Sequence, residues 1–165
     1  MRARGLSLVE VLVVLAILAA MAGALVLAFP DLGGRRADNE AQRLLGLFDL
    51  ACDRAAFTGR DVGIALGASA YAFGQFRDEG FEPFPGRGGE ALRPRRLAPP
   101  LSLRLRVDGR PVALAAEPPE LPQLACLASG ERVAFELELL EAGRPGWRLS
   151  AASIGPATLE AVDGR

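Results

Sequence analysis

The chain has 165 residues, a formal net charge of −1 and no histidine. Its length predicts one globular domain, because single hydrophobic cores are usually built from about 100 to 200 residues. The small net charge excludes a strong overall field towards nucleic acid or an acidic membrane. Without histidine the chain lacks the commonest general base and the commonest transition-metal ligand. We therefore predict no catalytic residues, no metal, no cofactor and no small-molecule substrate.

The first predicted element is an apolar helix near the N-terminus. Between residues 6 and 29 the only charged side chain is Glu10. About 20 uncharged, largely aliphatic residues are enough to cross a hydrocarbon core of roughly 30 Å. Arg2 and Arg4 precede this segment, so the positive-inside rule places the N-terminus in the cytoplasm and the rest of the chain outside.

An ordinary signal peptide is the alternative interpretation of this segment. Arg2 and Arg4 would form its basic region, and Ala20-Met21-Ala22 resembles the small-residue pattern of a cleavage site. Glu10 argues against it, because a carboxylate at a helix centre costs roughly 2.5 to 3.5 kcal/mol on insertion into a membrane, and less near the edge. Such a charge indicates a role that a signal peptide does not supply.

The segment Gly5-Leu6-Ser7-Leu8-Val9-Glu10, followed by an apolar helix, resembles the type IV prepilin signature. In that family a short basic leader ends in glycine, a prepilin peptidase cuts after it, and the new N-terminal residue is N-methylated. The resemblance implies cleavage between Gly5 and Leu6, methylation of Leu6, and Glu10 as the glutamate at position five of the mature chain. The family usually has phenylalanine where Leu6 stands, which is a tolerated departure.

The charges at this N-terminus support the same role for Glu10. Cleavage after Gly5 would expose an α-ammonium group in apolar surroundings, where a charge persists only when it is paired. The Glu10 carboxylate of a neighbouring subunit would neutralise that ammonium group. Glu10 is therefore predicted to set the register between subunits in the membrane.

A second helix is predicted after an interruption at residues 29–34, where a proline and two adjacent glycines disfavour helix. Helical periodicity returns from Asp38, a predicted N-cap, and ends at Thr58-Gly59. The apolar side chains of this helix recur at spacings of three and four, which predicts a face that packs on a sheet. They are Leu44, Leu47, Phe48, Ala51, Cys52, Ala55 and Ala56.

Beyond Gly59 the periodicity changes to two, which predicts a mostly β domain. Glu136 and Glu138 alternate with apolar residues and are predicted to point outwards, and Asp108-Gly109 predicts a hairpin turn. Residues 81–100, rich in proline, glycine and arginine, predict a long surface loop. The predicted strands lie near 61–66, 70–76, 101–107, 111–116, 123–128, 132–140 and 147–152.

A long N-terminal helix whose second half packs on an antiparallel sheet is an α+β, pilin-like fold. Within that group the chain resembles the H-type minor pseudopilins of type II secretion (the GspH family) and related minor pilins, through residues 42–60, 123–131 and 147–155. We expect a leader peptide at 1–5, a transmembrane and assembly helix at 6–29, a kink and amphipathic helix at 30–59, and a globular β domain at 60–165.

The resemblance implies a minor pseudopilin in the periplasmic filament with which a type II secretion system exports folded proteins across the outer membrane. Its partners would be major and minor pseudopilins and the prepilin peptidase, and it would catalyse nothing. It would cross the inner membrane once, with its N-terminus in the cytoplasm and its globular domain in the periplasm. One alternative is a minor pilin of a type IV pilus or DNA-uptake system, and another is a periplasmic domain with an ordinary anchor or signal.

Cys52 and Cys126 leave two interpretations open. Outside the cytoplasm they would form a disulfide closing a long loop, which stabilises the folded state. Free cysteines are also common in cores, and both residues stand among apolar neighbours.

Seven arginines stand between residues 87 and 110 against only two acidic residues. Under the DNA-uptake alternative, Arg95, Arg96, Arg104 and Arg106 would contact DNA phosphates. The other interpretation is a solvated strand face beside an arginine-rich loop. The absence of interleaved aromatic residues, which would stack on bases, favours the solvated face.

Overall fold

The computed structural model describes residues 8–28, 32–77 and 80–162. The chain divides into two units, residues 1–35 and 36–165. In the first, helix α1 covers Leu8–Ala28, and its described large apolar side chains are 46% to 80% exposed. Among the described residues, no helix combines the length and the hydropathy that a membrane span requires.

Helix α2 covers Leu32–Thr58 and begins earlier than its periodicity predicts. Gly33 and Gly34 lie inside this helix, and Asp38 is an interior residue, so the predicted N-cap is wrong. Ala37 and Ala41 are buried in the domain core, and this packing outweighs the glycine cost of about 1 kcal/mol each. The predicted interruption otherwise falls on residues 29–31, which lie outside the described residues.

The predicted end of α2 at Thr58-Gly59 is confirmed. Gly59 follows the last helical residue with a φ of 65°, the left-handed conformation that glycine adopts without a steric cost. The Arg60 amide then donates to the Ala55 carbonyl at 3.3 Å, which satisfies one of the free carbonyls at the helix end.

Within the described residues, ten strands form two antiparallel sheets. Sheet A has the order β3-β2-β1-β7, and β4 pairs with the same edge of β2 as β3 does. Sheet B has the order β10-β9-β8-β5-β6. The strands are β1 (Val62–Leu66), β2 (Ala70–Arg77), β3 (Gly80–Pro83), β4 (Arg95–Arg96), β5 (Leu101–Val107), β6 (Arg110–Val112), β7 (Leu124–Cys126), β8 (Phe135–Glu141), β9 (Arg144–Ala151) and β10 (Thr158–Ala161).

Each predicted strand is present, and the Asp108-Gly109 hairpin turn is confirmed by positive φ at both residues. Strands β3, β4 and β10 were not predicted. The predicted surface loop at 81–100 is also partly wrong, because it contains two short edge strands and the buried side chains of Phe84, Leu92 and Leu97.

One core lies between α2 and the inner faces of both sheets. Phe48 of α2 stands at its centre, with ring centroids 5.9 Å from Phe73 of sheet A and 4.9 Å from Phe135 of sheet B. Ala56 is exposed rather than part of the buried helix face. The core confirms the predicted α+β class, a helix packed on antiparallel sheets.

Candidate functional site

Glu10 lies in the first turn of α1, on a helix whose described side chains are exposed. Its neighbours Leu8 and Val9 are 80% and 67% exposed. Apolar surface of this extent is usually covered by lipid or by another protein. Gly5 and Leu6, where cleavage and methylation are predicted, lie outside the described residues.

Cys52 and Cys126 are joined by a disulfide in the structure, with Cα atoms 4.9 Å apart and 74 residues of sequence separation. Cys52 stands on α2 and Cys126 on β7, where Cys126 is 2% exposed. The bridge therefore fastens the helix to sheet A from within the core.

Two polar contacts fasten the N-terminal half of α2 to both sheets. The Trp147 indole Nε1 donates to Asp38 Oδ1 at 2.8 Å, and the Tyr71 hydroxyl donates to Glu40 Oε1 at 2.8 Å. Burial of the Tyr71 ring, together with this hydrogen bond to Glu40, raises the pKa of the phenol. Trp147 is thus a structural anchor of the helix on sheet B.

Arg54 fastens the other half of α2 to the segment after β3. Its Nη1 lies 2.9 Å from both oxygens of Glu90, and its guanidinium carbon lies 4.0 Å from the centroid of the Phe84 ring. Burial by itself would raise the pKa of Glu90, but the Leu92 amide and Arg54 stabilise the carboxylate and hold that pKa below its ordinary value.

The structure divides the four candidate DNA-contacting arginines between the two sheets. Arg95 and Arg96 form β4 of sheet A, while Arg104 and Arg106 lie on β5 of sheet B. Arg96 pairs with Glu117 at 2.7 Å, and Arg95 donates to the Ala91 carbonyl. The Arg106 guanidinium donates to the Gly109 carbonyl at 2.8 Å.

Arg104 belongs to a row of alternating charges on the outer face of sheet B. Strand register places Arg104 beside Glu138, Glu138 beside Arg148, and Arg148 beside Glu160. Glu138 accepts from Arg104 at 3.1 Å and from Arg148 at 3.0 Å, and the hydrogen bond with Glu138 raises the pKa of Arg148. We call this row the charge ladder. It confirms that Glu138 points outwards and shows that Arg104 is compensated within the fold.

The outer face of sheet A, which is the side away from α2, is built from small residues. Gly63, Ala65 and Gly67 alternate with large core residues along β1 and the residue after it, and Ala72 and Gly74 do so along β2. A Cβ atom on Gly63 would lie 2.7 Å from Pro122 and 2.8 Å from the Phe81 ring. Small residues therefore let other chain segments lie directly on this face.

The segment that covers this face is residues 115–123, which we call the strap. The Gln123 side-chain amide both accepts from the Leu66 amide and donates to the Leu66 carbonyl, each at 2.8 Å. The amides of Ala68 and Ser69 donate to the carbonyls of Ala115 and Ala116. Sequence analysis missed the strap, although the alternation of small and large residues in β1 and β2 was a signal that both sheet faces are covered.

No group of three or more cysteine, aspartate or glutamate side chains in the described parts of the chain is placed to hold a metal ion. The described features are thus structural attachments, an exposed apolar helix and two contrasting sheet faces, all of which suit a protein that assembles with others.

Comparison with known proteins identifies the family. Residues 1–26 match the model of the prokaryotic N-terminal methylation motif. The type II secretion system protein H of Pseudomonas aeruginosa is 34% identical over 161 residues, covering 92% of this chain and 91% of that protein. The chain belongs to the family of type II secretion system protein H.

Solved structures agree with this assignment. The minor pseudopilin EpsH from the type 2 secretion system of Vibrio cholerae superimposes with a TM-score of 0.65 at 25% identity, covering 76% of this chain and 96% of that one. The solution structure of GspH from Escherichia coli gives a TM-score of 0.53 at 25% identity, covering 79% and 92%. The predicted pilin-like fold and H-type resemblance are both confirmed, and the secretion interpretation is favoured over the DNA-uptake alternative.

Proposed function

We propose that this chain is a minor pseudopilin subunit of the type II secretion pseudopilus and supports the export of folded proteins across the outer membrane. The observation that carries the proposal is the 34% identity to type II secretion system protein H along nearly the whole of both chains. The methylation motif at residues 1–26 and the likeness to the pseudopilin EpsH support it independently. The chain acts as a structural subunit, without an enzymatic activity of its own.

The motif and the family together support a single-pass anchor in the inner membrane. In this proposal residues 1–5 are the leader, residues 6–29 form the membrane and assembly helix, and residues 30–59 continue as a kink and amphipathic helix. The globular part, residues 60–165, stands in the periplasm, where disulfides such as that between Cys52 and Cys126 persist. Its partners are other pseudopilins and the prepilin peptidase.

Processing between Gly5 and Leu6 is tested by intact mass and N-terminal sequencing of membrane-extracted protein. We expect a mature chain that begins with N-methyl-leucine at Leu6. A chain that begins near Gly23 would instead show cleavage by a conventional signal peptidase and would refute the prepilin assignment.

Glu10→Ala tests the proposed register role. The change removes a costly charge from the membrane, so insertion and cleavage are expected to continue, while the ammonium group of the neighbouring Leu6 loses its partner. Membrane levels should hold and incorporation into filaments, measured by cross-linking to other pseudopilins, should fall. Glu10→Asp, which keeps the charge, is the matched control. Wild-type incorporation of Glu10→Ala would exclude the register role.

The DNA-uptake alternative is tested by titrating labelled duplex DNA at two salt concentrations. We expect a Kd of roughly 10⁻⁴ to 10⁻⁶ M or weaker at physiological salt, the range of non-specific contacts. Joint replacement of Arg95, Arg96, Arg104 and Arg106 should change it little, since Arg96 and Arg104 already pair with glutamates. Strong, salt-sensitive binding that these replacements remove would favour a DNA-uptake pilin.

A further inference from the structure

The outer face of sheet A carries an exposed apolar patch at one end of the strap. Phe76 of β2 is 46% exposed and Leu121 of the strap is 71% exposed. Phe81 of β3 lies beside them, with its ring centroid 6.0 Å from that of Phe76. We call Phe76, Phe81 and Leu121 the strap patch. Side chains of this size exposed together are typical of a contact site for another chain.

The strap patch contains a cleft of about 480 Å³, whose lining includes both Phe81 and Leu121. The Phe81 ring packs directly on Gly63 and Gly74, where a Cβ atom would overlap it, and this contact fixes the position of the ring on the sheet. Pro83 and Pro119, which also line the cleft, restrict the backbone on either side. The cleft is therefore preformed, which lowers the ordering cost of binding.

The neighbouring strand favours an extended occupant. β3 pairs with β2 along one side, and no strand within the described residues pairs with its other side. The Phe84 amide donates to the Phe73 carbonyl at 2.8 Å, so strand alternation turns the amide and carbonyl of Phe81 towards the open side. An extended segment would find backbone partners there, next to the cleft.

The charges at the rim select the chemistry of that segment. Glu82 pairs with Arg77 at 2.5 Å and Glu117 pairs with Arg96 at 2.7 Å, so these two carboxylates are compensated. Glu120 lines the cleft, is exposed, and makes no salt bridge with any described residue. Among the described residues that line the cleft, Glu120 is the charged one, and its carboxylate complements arginine or lysine beside an apolar side chain.

We propose that the strap patch docks an extended, basic segment of a partner subunit. An aliphatic or aromatic side chain of the segment enters the cleft between Phe81 and Leu121, and a neighbouring arginine or lysine pairs with Glu120. The filament role proposed above supplies the source of such a segment, whereas the docking chemistry is a property of this chain alone.

The test uses the full-length chain in a non-ionic detergent and two labelled peptides. One peptide alternates leucine or valine with arginine, and the other has glutamate at each arginine position. Fluorescence anisotropy measures both affinities, and amide chemical shifts map the contact. We expect the arginine peptide to bind more tightly and to shift the amides of residues 80–82 and 120–121, since Pro83 and Pro119 have no amide N–H.

Three variants distinguish binding at this site from non-specific hydrophobic binding. Leu121→Ser should weaken binding of the arginine peptide roughly tenfold or more, because burial of a leucine contributes about 1.5 to 3 kcal/mol. Glu120→Lys should reverse the preference between the two peptides. Ile154→Ser is the matched control, since Ile154 is 74% exposed but lies outside the cleft, and it should bind as the wild type does.

Equal affinity for the two peptides, or equal loss of binding in Leu121→Ser and Ile154→Ser, would overturn the proposal. Chemical shift changes confined to sheet B would do the same. Leu121, Glu120 and Ile154 are exposed, so these variants are expected to fold, which thermal unfolding verifies. No filament takes part in the measurement, so its failure would leave the pseudopilin role unaffected, and failure of processing at Gly5 would leave the docking result unaffected.

Discussion

The two sheets of this domain present outer faces of opposite construction. The outer face of sheet A is made of glycine and alanine and is covered by a proline-rich strap. The outer face of sheet B carries the charge ladder of Arg104, Glu138, Arg148 and Glu160 and meets solvent directly. A sheet face can thus be completed either by covering it or by charging it. The covered face in this domain also carries the exposed apolar side chains of Phe76 and Leu121.

The largest expected difference in the free energy of unfolding comes from the way each sheet is attached to α2. Sheet A is joined covalently through Cys52 and Cys126, whereas sheet B has the Trp147 to Asp38 hydrogen bond and packing. Replacing both cysteines by alanine is expected to lower the free energy of unfolding by about 4 kcal/mol, the value for so long a closed loop. Trp147→Phe, which removes the indole donor, should cost about 1 kcal/mol. Urea unfolding at pH 7 measures both, and similar costs would contradict the asymmetry.

A glycine from each sheet tests whether the outer faces differ in packing. A Cβ atom on Gly74 of sheet A would overlap the Glu82 carbonyl oxygen and the Phe81 ring. On Gly146 of sheet B it would meet only the Leu139 carbonyl oxygen, at 3.8 Å. Gly74→Ala is therefore expected to destabilise by about 3 kcal/mol and Gly146→Ala by less than about 0.5 kcal/mol. Equal thermal stability of the two variants would show that β3 and the Phe81 ring move to accept the added methyl group.

The contributions of the strap and of the charge ladder to stability should differ in their dependence on salt concentration. Gln123→Ala removes both hydrogen bonds to Leu66 and is expected to cost about 2 kcal/mol at any ionic strength. Arg104→Ala removes an exposed ion pair worth about 0.5 kcal/mol, and its effect should fade in 1 M salt. Denaturation at low and high salt compares them. An Arg104→Ala effect that persists in salt would mean that the ladder acts through packing.

The smallest expected effect is the pH dependence of the Arg54 to Glu90 pair. The folded-state pKa of Glu90 is below its unfolded value, so this carboxylate stabilises the fold above about pH 4.3 and that contribution is lost as pH falls through the folded pKa. The stability difference between wild type and Glu90→Gln should therefore shrink on acidification. Arg54→Gln should raise the pKa of Glu90 in an NMR titration. An unchanged pKa would assign the shift to the backbone amides of Ala91 and Leu92.

Local periodicity was sufficient to predict most of the buried face of α2 and the longer strands. β5 alternates leucine with serine and arginine over its whole length, so its inner and outer faces are evident from the sequence. The Asp108-Gly109 turn was equally clear, because few residue pairs adopt positive φ at both positions. These features depend on neighbours within a few positions of the chain.

The strap and the charge ladder could not be found in this way, because both depend on residues distant in sequence. Gln123 bonds to Leu66, 57 residues away, and Glu138 lies beside Arg104, 34 residues away. Without the register between β5 and β8, the sequence left two interpretations of Arg104 open, a solvated strand face and a DNA contact. Asp38 seemed an N-cap because its true partner, Trp147, is 109 residues away.

The four attachments of α2 have a mechanical consequence. Asp38, Glu40, Cys52 and Arg54 span 16 residue steps, or about 24 Å along the helix axis, and connect it to sheet B, sheet A, β7 and the Glu90 segment respectively. A force along the helix axis would load these attachments in parallel, so none would bear it alone. Pulling on the N-terminal end of α2 is therefore expected to move the domain as one body before the helix detaches from the sheets.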